Sequence, residues 1–109
     1  MPRPWRLARA SEFEAVMAGG ARRRTGRLDI YWRPNDLGHP RLGVIAPRHG
    51  QTAVARNRLR RRLREHLRRR LLPTLPSLDL VVRARFAAYA ASPTELTADL
   101  DTWHARLFR

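Results

Sequence analysis

The chain has 109 residues, a formal net charge of +14 and no cysteine, and all 23 of its basic residues are arginine. This length suits one domain spanning 1–109 with its own core, and so large a positive charge predicts a polyanionic partner such as nucleic acid. The absence of cysteine excludes disulfides and Cys-based zinc sites and fits a cytoplasmic protein. No apolar run approaches the roughly 18 residues of a membrane span, and the N-terminus lacks a signal-peptide core.

Residues 1–5 are predicted to be a flexible tail, followed by a short helix over Ser11–Ala18. Ser11 and Glu14 have the spacing of a capping box, and Gly19-Gly20 supplies a stop. Phe13, Val16 and Met17 share one side of this helix. Core packing is the default for them, although an aromatic beside a sheet can also stack on a base. The run Arg22–Arg24 is interpreted as a loop that is either a phosphate contact or simply exposed.

Two strands are predicted next. Residues alternate over Arg27–Arg33, which indicates a half-exposed strand, and a turn over 34–40 leads into Arg41–Ala46 as the second strand of a hairpin. Gly43 in mid-strand indicates close approach by a neighbouring element or a ligand backbone.

The stretch Thr52–Leu72 is predicted to be a long helix that ends before Pro73. It carries nine arginines, and an apolar stripe with a leucine at every fourth residue from 59 to 71. One face can therefore dock on a core while the other presents a cationic ridge. Arg56 and Arg60 project inside the leucine arc, so either the first turns overhang the core or these two side chains line a groove. The preceding loop, with Arg48 and His49, would place amides and a helix N-terminus at a phosphate site.

A third strand is predicted over Leu78–Phe86, with Leu80, Val82 and Phe86 facing one side and Val81 and Arg83 the other. After a connector over 87–91, the capping box of Ser92 and Glu95 starts a C-terminal amphipathic helix. The order α-β-β-α-β-α predicts an α+β domain with helices packed on a small sheet.

No protein active site is predicted. Metal-dependent hydrolysis needs clustered carboxylates or histidines. The nine acidic residues are scattered and the four histidines lie on four different elements, so each histidine is interpreted as a surface or RNA contact. The sequence predicts no catalytic residue and no metal ligand.

The chain from Arg6 onward resembles the protein component of bacterial ribonuclease P. The stretch Ala53–Glu65 is similar to that family's AVxRNRxKRxxRE signature, with Arg56-Asn57-Arg58 as its RNR core. Arg41-Leu42-Gly43 resembles its RxG strand, and Asp79–Arg85 resembles its D-hydrophobic-hydrophobic-ARP strand. Two departures are visible: Pro47–Gln51 replaces SKKxG, with Gly50 one residue early, and Phe86 stands where proline is usual.

The resemblance implies a subunit of the ribonucleoprotein that removes the 5′ leader of precursor tRNA, in which ribonuclease P RNA performs the hydrolysis with Mg²⁺. It implies a two-layer α/β sandwich with a small mixed sheet and a left-handed crossover into the RNR helix. The residues expected to bind the RNA subunit are Arg48, His49, Arg56, Asn57, Arg58, Arg60, Arg61, Arg64 and Arg68. Those expected to bind the leader are Phe13, Met17, Tyr31, Val44 and Ala46. Neither DNA nor a membrane is an expected partner.

Two other classes share the charge. A generic structured-RNA-binding protein of ribosomal type would need no leader cleft and no role in cleavage. A membrane-surface helix would need its apolar stripe exposed, whereas here the core requires that stripe.

Overall fold

Four strands and three α-helices make up the fold in a computed structural model that describes residues 5–107. Their bounds are α1 Ala10–Gly19, β1 Ala21–Arg24, β2 Leu28–Pro34, β3 Arg41–Ile45, α2 Ala53–His66, β4 Leu78–Ala84 and α3 Pro93–Leu107. A short 3₁₀ segment over Phe86–Ala90 occupies the predicted connector. The α+β class is confirmed. None of the helices in this part of the chain has the length and hydropathy needed to cross a bilayer.

The sheet is mixed, with strand order β1-β2-β4-β3. Strand β4 pairs antiparallel with β2 and parallel with β3, so Val82 lies opposite both Ile30 and Val44. The predicted hairpin of Arg27–Arg33 with Arg41–Ala46 is therefore wrong, because these strands, β2 and β3, do not pair with each other. Strand β4 lies inside the sheet between β2 and β3, and all of its residues except Arg83 are buried, which suits a strand covered on both sides.

The run Arg22–Arg24 is an edge strand and not a loop. Strand β1 pairs antiparallel with β2 from Ala21 opposite Trp32 to Arg24 opposite Asp29. Sequence patterning missed it because three consecutive arginines show no alternation. Charged side chains on an edge strand discourage pairing with a second sheet, which gives this composition a structural reason.

Helices cover both faces of the sheet, so the predicted two-layer arrangement is refined. Toward α2 and α3, a large apolar cluster includes Leu28, Ile30 and Val82 together with the leucines of α2. Toward α1, a smaller cluster joins Val16, Tyr31 and others. The predicted alternation of faces is confirmed along β2 and β4. However, β2 is not half-exposed, because Leu28–Tyr31 are all buried between the two layers.

Local capping sets where the outer helices begin. Helix α1 begins one residue before the predicted start, and the Glu12 carboxylate accepts hydrogen bonds from the amides of Ala8 (3.1 Å) and Arg9 (2.9 Å). Glu12, and not the predicted pair of Ser11 and Glu14, therefore caps α1. At α3 the predicted box is confirmed, since Ser92 N donates to Glu95 Oε1 at 2.9 Å and Glu95 N to Ser92 Oγ at 3.1 Å.

The long central helix matches its predicted extent with a change of geometry near its end. Thr52 Oγ1 accepts from Ala55 N at 3.1 Å at the start, and α2 continues from His66 into a π-helical turn over Leu67–Leu71. A leucine every fourth residue drifts around an α-helix of 3.6 residues per turn. The wider turn offsets that drift, so Leu67 and Leu71 both stay buried at 0% and 4% exposure.

Candidate nucleic-acid interface

The outer face of α2 carries positive charge that the protein itself leaves uncompensated. Of the nine arginines from Arg56 to Arg70, only Arg68 and Arg69 have a carboxylate within 4 Å in the described chain, and both share Glu65 at 3.1 and 3.0 Å. The other seven have no acidic partner there. Like charges three and four residues apart on a helix repel one another, so this face would be stabilised by a bound polyanion.

A recess of about 390 Å³ lies on this face, lined by Asn57, Arg60, Arg61, Arg64 and Glu65. Burial lowers the pKa of the Arg64 guanidinium, and the neighbouring Arg6 and Arg60 lower it further. Arginine nevertheless stays charged at neutral pH. The positive charges around the recess therefore repel one another, and a bound anion such as a phosphate would reduce that repulsion. Asn57 adds an amide to the lining of the recess.

Arg6 reaches this cluster through the chain segment before α1. A bridge pairs Arg6 with Leu42, and Leu7 N donates to Leu42 O at 2.9 Å. Arg6 was not among the predicted RNA contacts. No local pattern could have placed it beside Arg64, because the two meet only after the N-terminal segment has docked alongside β3.

Arg56 and Arg60, the two arginines predicted to lie inside the leucine arc, have different surroundings. Arg56 Nε donates to the carbonyl of Ala46 at 3.0 Å, which ties the first turn of α2 to the segment following β3. This contact explains why Arg56 projects inside the leucine arc: the first turns of the helix overhang the core. Arg60 Nη1 donates to Asn57 Oδ1 at 3.3 Å and lines the recess. Each residue thus follows one of the two alternatives: Arg56 lies where the helix overhangs the core, and Arg60 lines the recess.

The loop before α2 keeps Arg48 and His49 exposed, as a contact with RNA requires. His49 (φ 45°) and Gly50 (φ 76°) both adopt left-handed backbone conformations, and Gln51 N donates to Arg48 O at 2.7 Å to close a turn. Glycine tolerates positive φ without penalty. Gly50, which comes one residue earlier than the glycine of the family pattern, therefore stands at a position of this loop that has positive φ.

The predicted leader-binding residues do not all lie together. Phe13, Met17 and Tyr31 belong to the α1-side cluster. Val44 packs in the opposite cluster beneath α2, and both Val44 (8%) and Ala46 (2%) are buried. The expectation that Val44 would line the same cleft is corrected, because β-strand alternation turns Val44 to the same side as Leu42.

Phe13 and Tyr31 occupy defined positions on the α1 side. A Cβ on Gly43 would lie 2.3 Å from Cε1 of Phe13, so the absent side chain makes room for the phenyl ring. Of the two alternatives for Gly43, the bulky neighbour is therefore a helix of the same chain. Tyr31 is only 8% exposed, and the Arg22 guanidinium lies 5.6 Å from the centre of its ring.

Charged residues on this face were missed by the sequence analysis. Asp29 is buried at 6% exposure and accepts a hydrogen bond of 2.7 Å from Arg24 Nε. Arg83 on β4 lies directly opposite Asp29 on β2. It is exposed and has no carboxylate within 4 Å among residues 5–107. Sequence alternation predicted that Asp29 and Tyr31 share one face of their strand, and it assigned Arg83 to a face of a different strand. Recognising that they share one surface required the pairing of β2 with β4.

A buried ionic network fixes α1 against the sheet beside this surface. Arg41 donates to both carboxylate oxygens of Asp79 at 2.8 Å and to Glu12 Oε2 at 2.7 Å. Asn35 Nδ2 also donates to Asp79, at 2.9 Å. Burial opposes ionisation of Asp79, but the hydrogen bonds from Arg41 and Asn35 outweigh it and hold the pKa of Asp79 below its ordinary value. The carboxylate is thus charged and structural.

The histidines lie at separate places. His39 stacks on Trp5 with ring centres 5.5 Å apart, His66 Nε2 lies 2.8 Å from Asp101 Oδ1, and His104 Nε2 lies 2.7 Å from Thr74 Oγ1. In the part of the chain that the structure describes, no three His, Asp or Glu side chains come together as a possible metal site. Trp5 was predicted to belong to a flexible tail over residues 1–5, but it packs against the large apolar cluster, and residues 1–4 lie outside the described residues.

Fold and surface together define a class of protein: a small basic α+β protein that presents an arginine-covered helix on one side of its sheet and a short helix with partly exposed apolar side chains on the other. Known proteins of this kind match it closely. The model of the Ribonuclease P family matches residues 1–107. The chain therefore belongs to the ribonuclease P protein family.

Individual relatives agree. The ribonuclease P protein component of Acidothermus cellulolyticus is 41% identical over 110 residues, covering 98% of this chain and 91% of that protein. The component from Yersinia enterocolitica is 43% identical over 101 residues, covering 92% and 84%. The ribonuclease P protein from Thermotoga maritima superposes with a TM-score of 0.82 at 24% identity, covering 93% of this chain and 96% of the other, and so shares the fold.

Proposed function

We propose that this protein docks on ribonuclease P RNA through the outer face of α2 and holds the 5′ leader of precursor tRNA on the α1 side of its sheet. The RNA subunit, with Mg²⁺, then hydrolyses the phosphodiester bond. The observation that carries the proposal is the set of seven arginines on α2 and the π-helical turn that continues it, none of which has an acidic partner in the described chain. Family membership supports the same assignment.

Docking on the RNA subunit rests on phosphate neutralisation. Arg58 and Arg61 are exposed, and Arg64 lines the recess with Asn57. Each phosphate contact releases condensed counterions from the RNA, which favours binding and makes it depend on salt. The Asn57 amide supplies a group that can hydrogen-bond a base edge or a ribose hydroxyl. Arg48 and His49 extend the same surface beyond the N-terminus of α2.

Leader binding rests on the surface between α1 and the open part of the sheet. Phe13 and Met17 are partly exposed there, Tyr31 lies in the floor, and Arg83 stands on the central strand without a carboxylate partner in the described residues. A single strand can bind a surface of this composition through phosphate contacts and base stacking. We assign Arg83 to a leader phosphate and Phe13 with Tyr31 to contacts with leader nucleotides.

The proposed contribution to catalysis is electrostatic and positional. Bringing a precursor tRNA against a folded RNA gathers phosphates that repel one another, and arginines on both faces of this protein offset part of that repulsion. The assembled particle should then need less Mg²⁺ to hold its substrate. Magnesium bound by the RNA supplies the hydrolytic chemistry, while the protein binds and orients the two RNA molecules.

Cleavage of precursor tRNA at limiting Mg²⁺ tests this proposal. Ribonuclease P RNA from a relative should cleave poorly alone and well after addition of this protein, whereas the protein alone should leave the substrate intact. A generic structured-RNA-binding protein, the alternative, would bind unrelated duplexes equally tightly at the same salt and would not favour substrates with a leader. Stimulation that does not depend on the leader would reject the leader-binding part of the proposal.

A further inference from the structure

Phe86 is a large aromatic side chain that the fold leaves in solvent. It was expected to continue the inward face of β4, but that strand ends at Ala84, and the 3₁₀ segment that follows leaves the ring 65% exposed. Single exposed apolar residues are ordinary on a protein surface. The surroundings of this one make it unusual.

The backbone that carries Phe86 is fixed on both sides. Arg85 N donates to Arg27 O at 2.8 Å, and Ala88 N donates to Arg85 O at 2.9 Å. Ala88 is buried at 1% exposure in the α2-side cluster. The backbone that carries the phenyl ring is therefore fixed and does not need to be ordered when a ligand binds, which reduces the entropic cost of that contact.

A second aromatic ring supports it from the loop before α2. His49 meets Phe86 edge to face, with ring centres 6.0 Å apart and an interplanar angle of 82°. The same imidazole lies 6.4 Å from the ring of Tyr89, whose hydroxyl donates to Pro47 O at 2.5 Å. Phe86, His49 and Tyr89 thus form one aromatic cluster, which we call the aromatic edge, that joins the end of β4 to the loop leading into α2.

The charge around the aromatic edge favours nucleic acid over an apolar partner. Arg48 precedes His49 and is exposed, and the amides at the start of α2 follow a few residues later. Both features attract phosphate. A flat ring held among cations matches the way single-stranded nucleotides bind, with phosphates on the basic groups and a base stacked on the ring.

We propose that Phe86 stacks on an unpaired nucleobase of the RNA bound by α2, with His49 holding the ring in position. This inference rests on the proposed docking function and adds to it a base contact next to the phosphate contacts. An unpaired base could come from ribonuclease P RNA or from precursor tRNA. We assign it to ribonuclease P RNA, because the aromatic edge adjoins α2 and its supporting Ala88 packs on that side of the sheet, away from α1.

Binding of ribonuclease P RNA by Phe86→Ala and Phe86→Trp, measured over a range of salt concentrations, tests the inference. Losing one stack should weaken binding about 5- to 150-fold, while the slope of log affinity against log salt stays unchanged because no phosphate contact is lost. Phe86→Trp should bind like the wild type. Leu37→Ala is the matched control, since Leu37 is also a large exposed apolar residue (48%) but lies in the turn after β2.

Each outcome decides something. Weaker binding by Phe86→Ala alone, with an unchanged melting temperature, supports the stack. Equal binding by Phe86→Ala and Leu37→Ala overturns it while leaving the proposed function intact. A wild-type protein that does not bind the RNA overturns both. A loss that appears only when the assembled particle binds precursor tRNA likewise overturns the assignment to ribonuclease P RNA and places the stacked base in precursor tRNA.

Discussion

Gly43 is the residue at which α1 closes on the sheet. An added methyl group would lie 2.3 Å from Phe13 Cε1, which the phenyl ring can accommodate only by moving. We expect Gly43→Ala to lower the free energy of unfolding by about 1–3 kcal/mol, as overpacking does elsewhere, and to weaken binding of the leader because Phe13 is displaced. Denaturant titration measures the first effect. Gly26→Ala is the control, since nothing lies within 4 Å of its Cβ position, and an equal loss there would contradict the argument.

Asp79 links protonation to stability. Its folded-state pKa is depressed, so its stabilising contribution is present above the ordinary aspartate value near 4 and is lost as pH falls through the folded-state pKa. We expect Asp79→Asn to destabilise the protein at neutral pH by roughly 3 kcal/mol, because Arg41 loses its buried charged partner, and to be less sensitive to acid than the wild type. Melting temperatures between pH 3 and 7 measure both. The exposed Asp36→Asn serves as control, and parallel pH profiles for Asp79→Asn and wild type would refute the role.

At the scale of the element, each exposed arginine of α2 is expected to neutralise about one RNA phosphate. Arg58 is exposed on the outer face without a carboxylate partner in the described chain, so Arg58→Ala should lower affinity for ribonuclease P RNA and reduce the salt slope by about one. Arg106→Ala removes an equally exposed arginine from α3 and should leave the slope unchanged. An unaltered slope for Arg58→Ala would remove this residue from the phosphate contacts.

The opposite side of the sheet should respond to a different ligand. Arg83→Ala should weaken binding of precursor tRNA that carries a leader, while affinity for ribonuclease P RNA stays at the wild-type value. The reason is that Arg83 faces the α1 side, whereas α2 packs on the other face. Binding to mature tRNA provides the comparison. Equal weakening with and without a leader would place Arg83 outside the leader contacts.

Local signals predicted some elements well and others poorly. The bounds of α3 follow from Ser92 and Glu95, and the extent of α2 follows from its leucines, because these signals lie within the element. The sheet order depends on β4 entering between β2 and β3, a long-range pairing that no single strand encodes. The same limit explains the misplaced Val44: its strand was recognised, but the two faces of the sheet could not be told apart until α1 and α2 were placed.

For the candidate site, the cationic face of α2 could be predicted because the charges of one helix lie on a fixed wheel. The contribution of Arg6 to the recess could not, since it arrives from a segment some 60 residues away in sequence. Phe86 was misassigned because alternation was carried past Ala84, where the strand ends.

At the scale of the whole molecule, the distribution of carboxylates accounts for where the positive charge is left. Five carboxylates pair with arginines on β1, on β3 or in the segment between β1 and β2, and they hold the sheet to α1 and α3: Glu12, Asp29, Asp79, Glu95 and Asp99. Of the nine arginines from Arg56 to Arg70, only Arg68 and Arg69 have a carboxylate partner in the described chain, and that partner is Glu65. The acids that stabilise the fold therefore leave most of the net charge on one helix, which gives the protein a directed field for a polyanion.

Cleavage of precursor tRNA by ribonuclease P RNA at limiting Mg²⁺, compared between two double variants of equal charge, tests this account most directly. The first, Arg58→Ala with Arg61→Ala, removes two arginines from the outer face of α2. The second, Arg23→Ala with Arg106→Ala, removes two from the side of the molecule where β1 and α3 meet. The account predicts that the first variant loses most of the stimulation and the second retains it. Equal stimulation by both variants, or cleavage by the protein without the RNA, would contradict it.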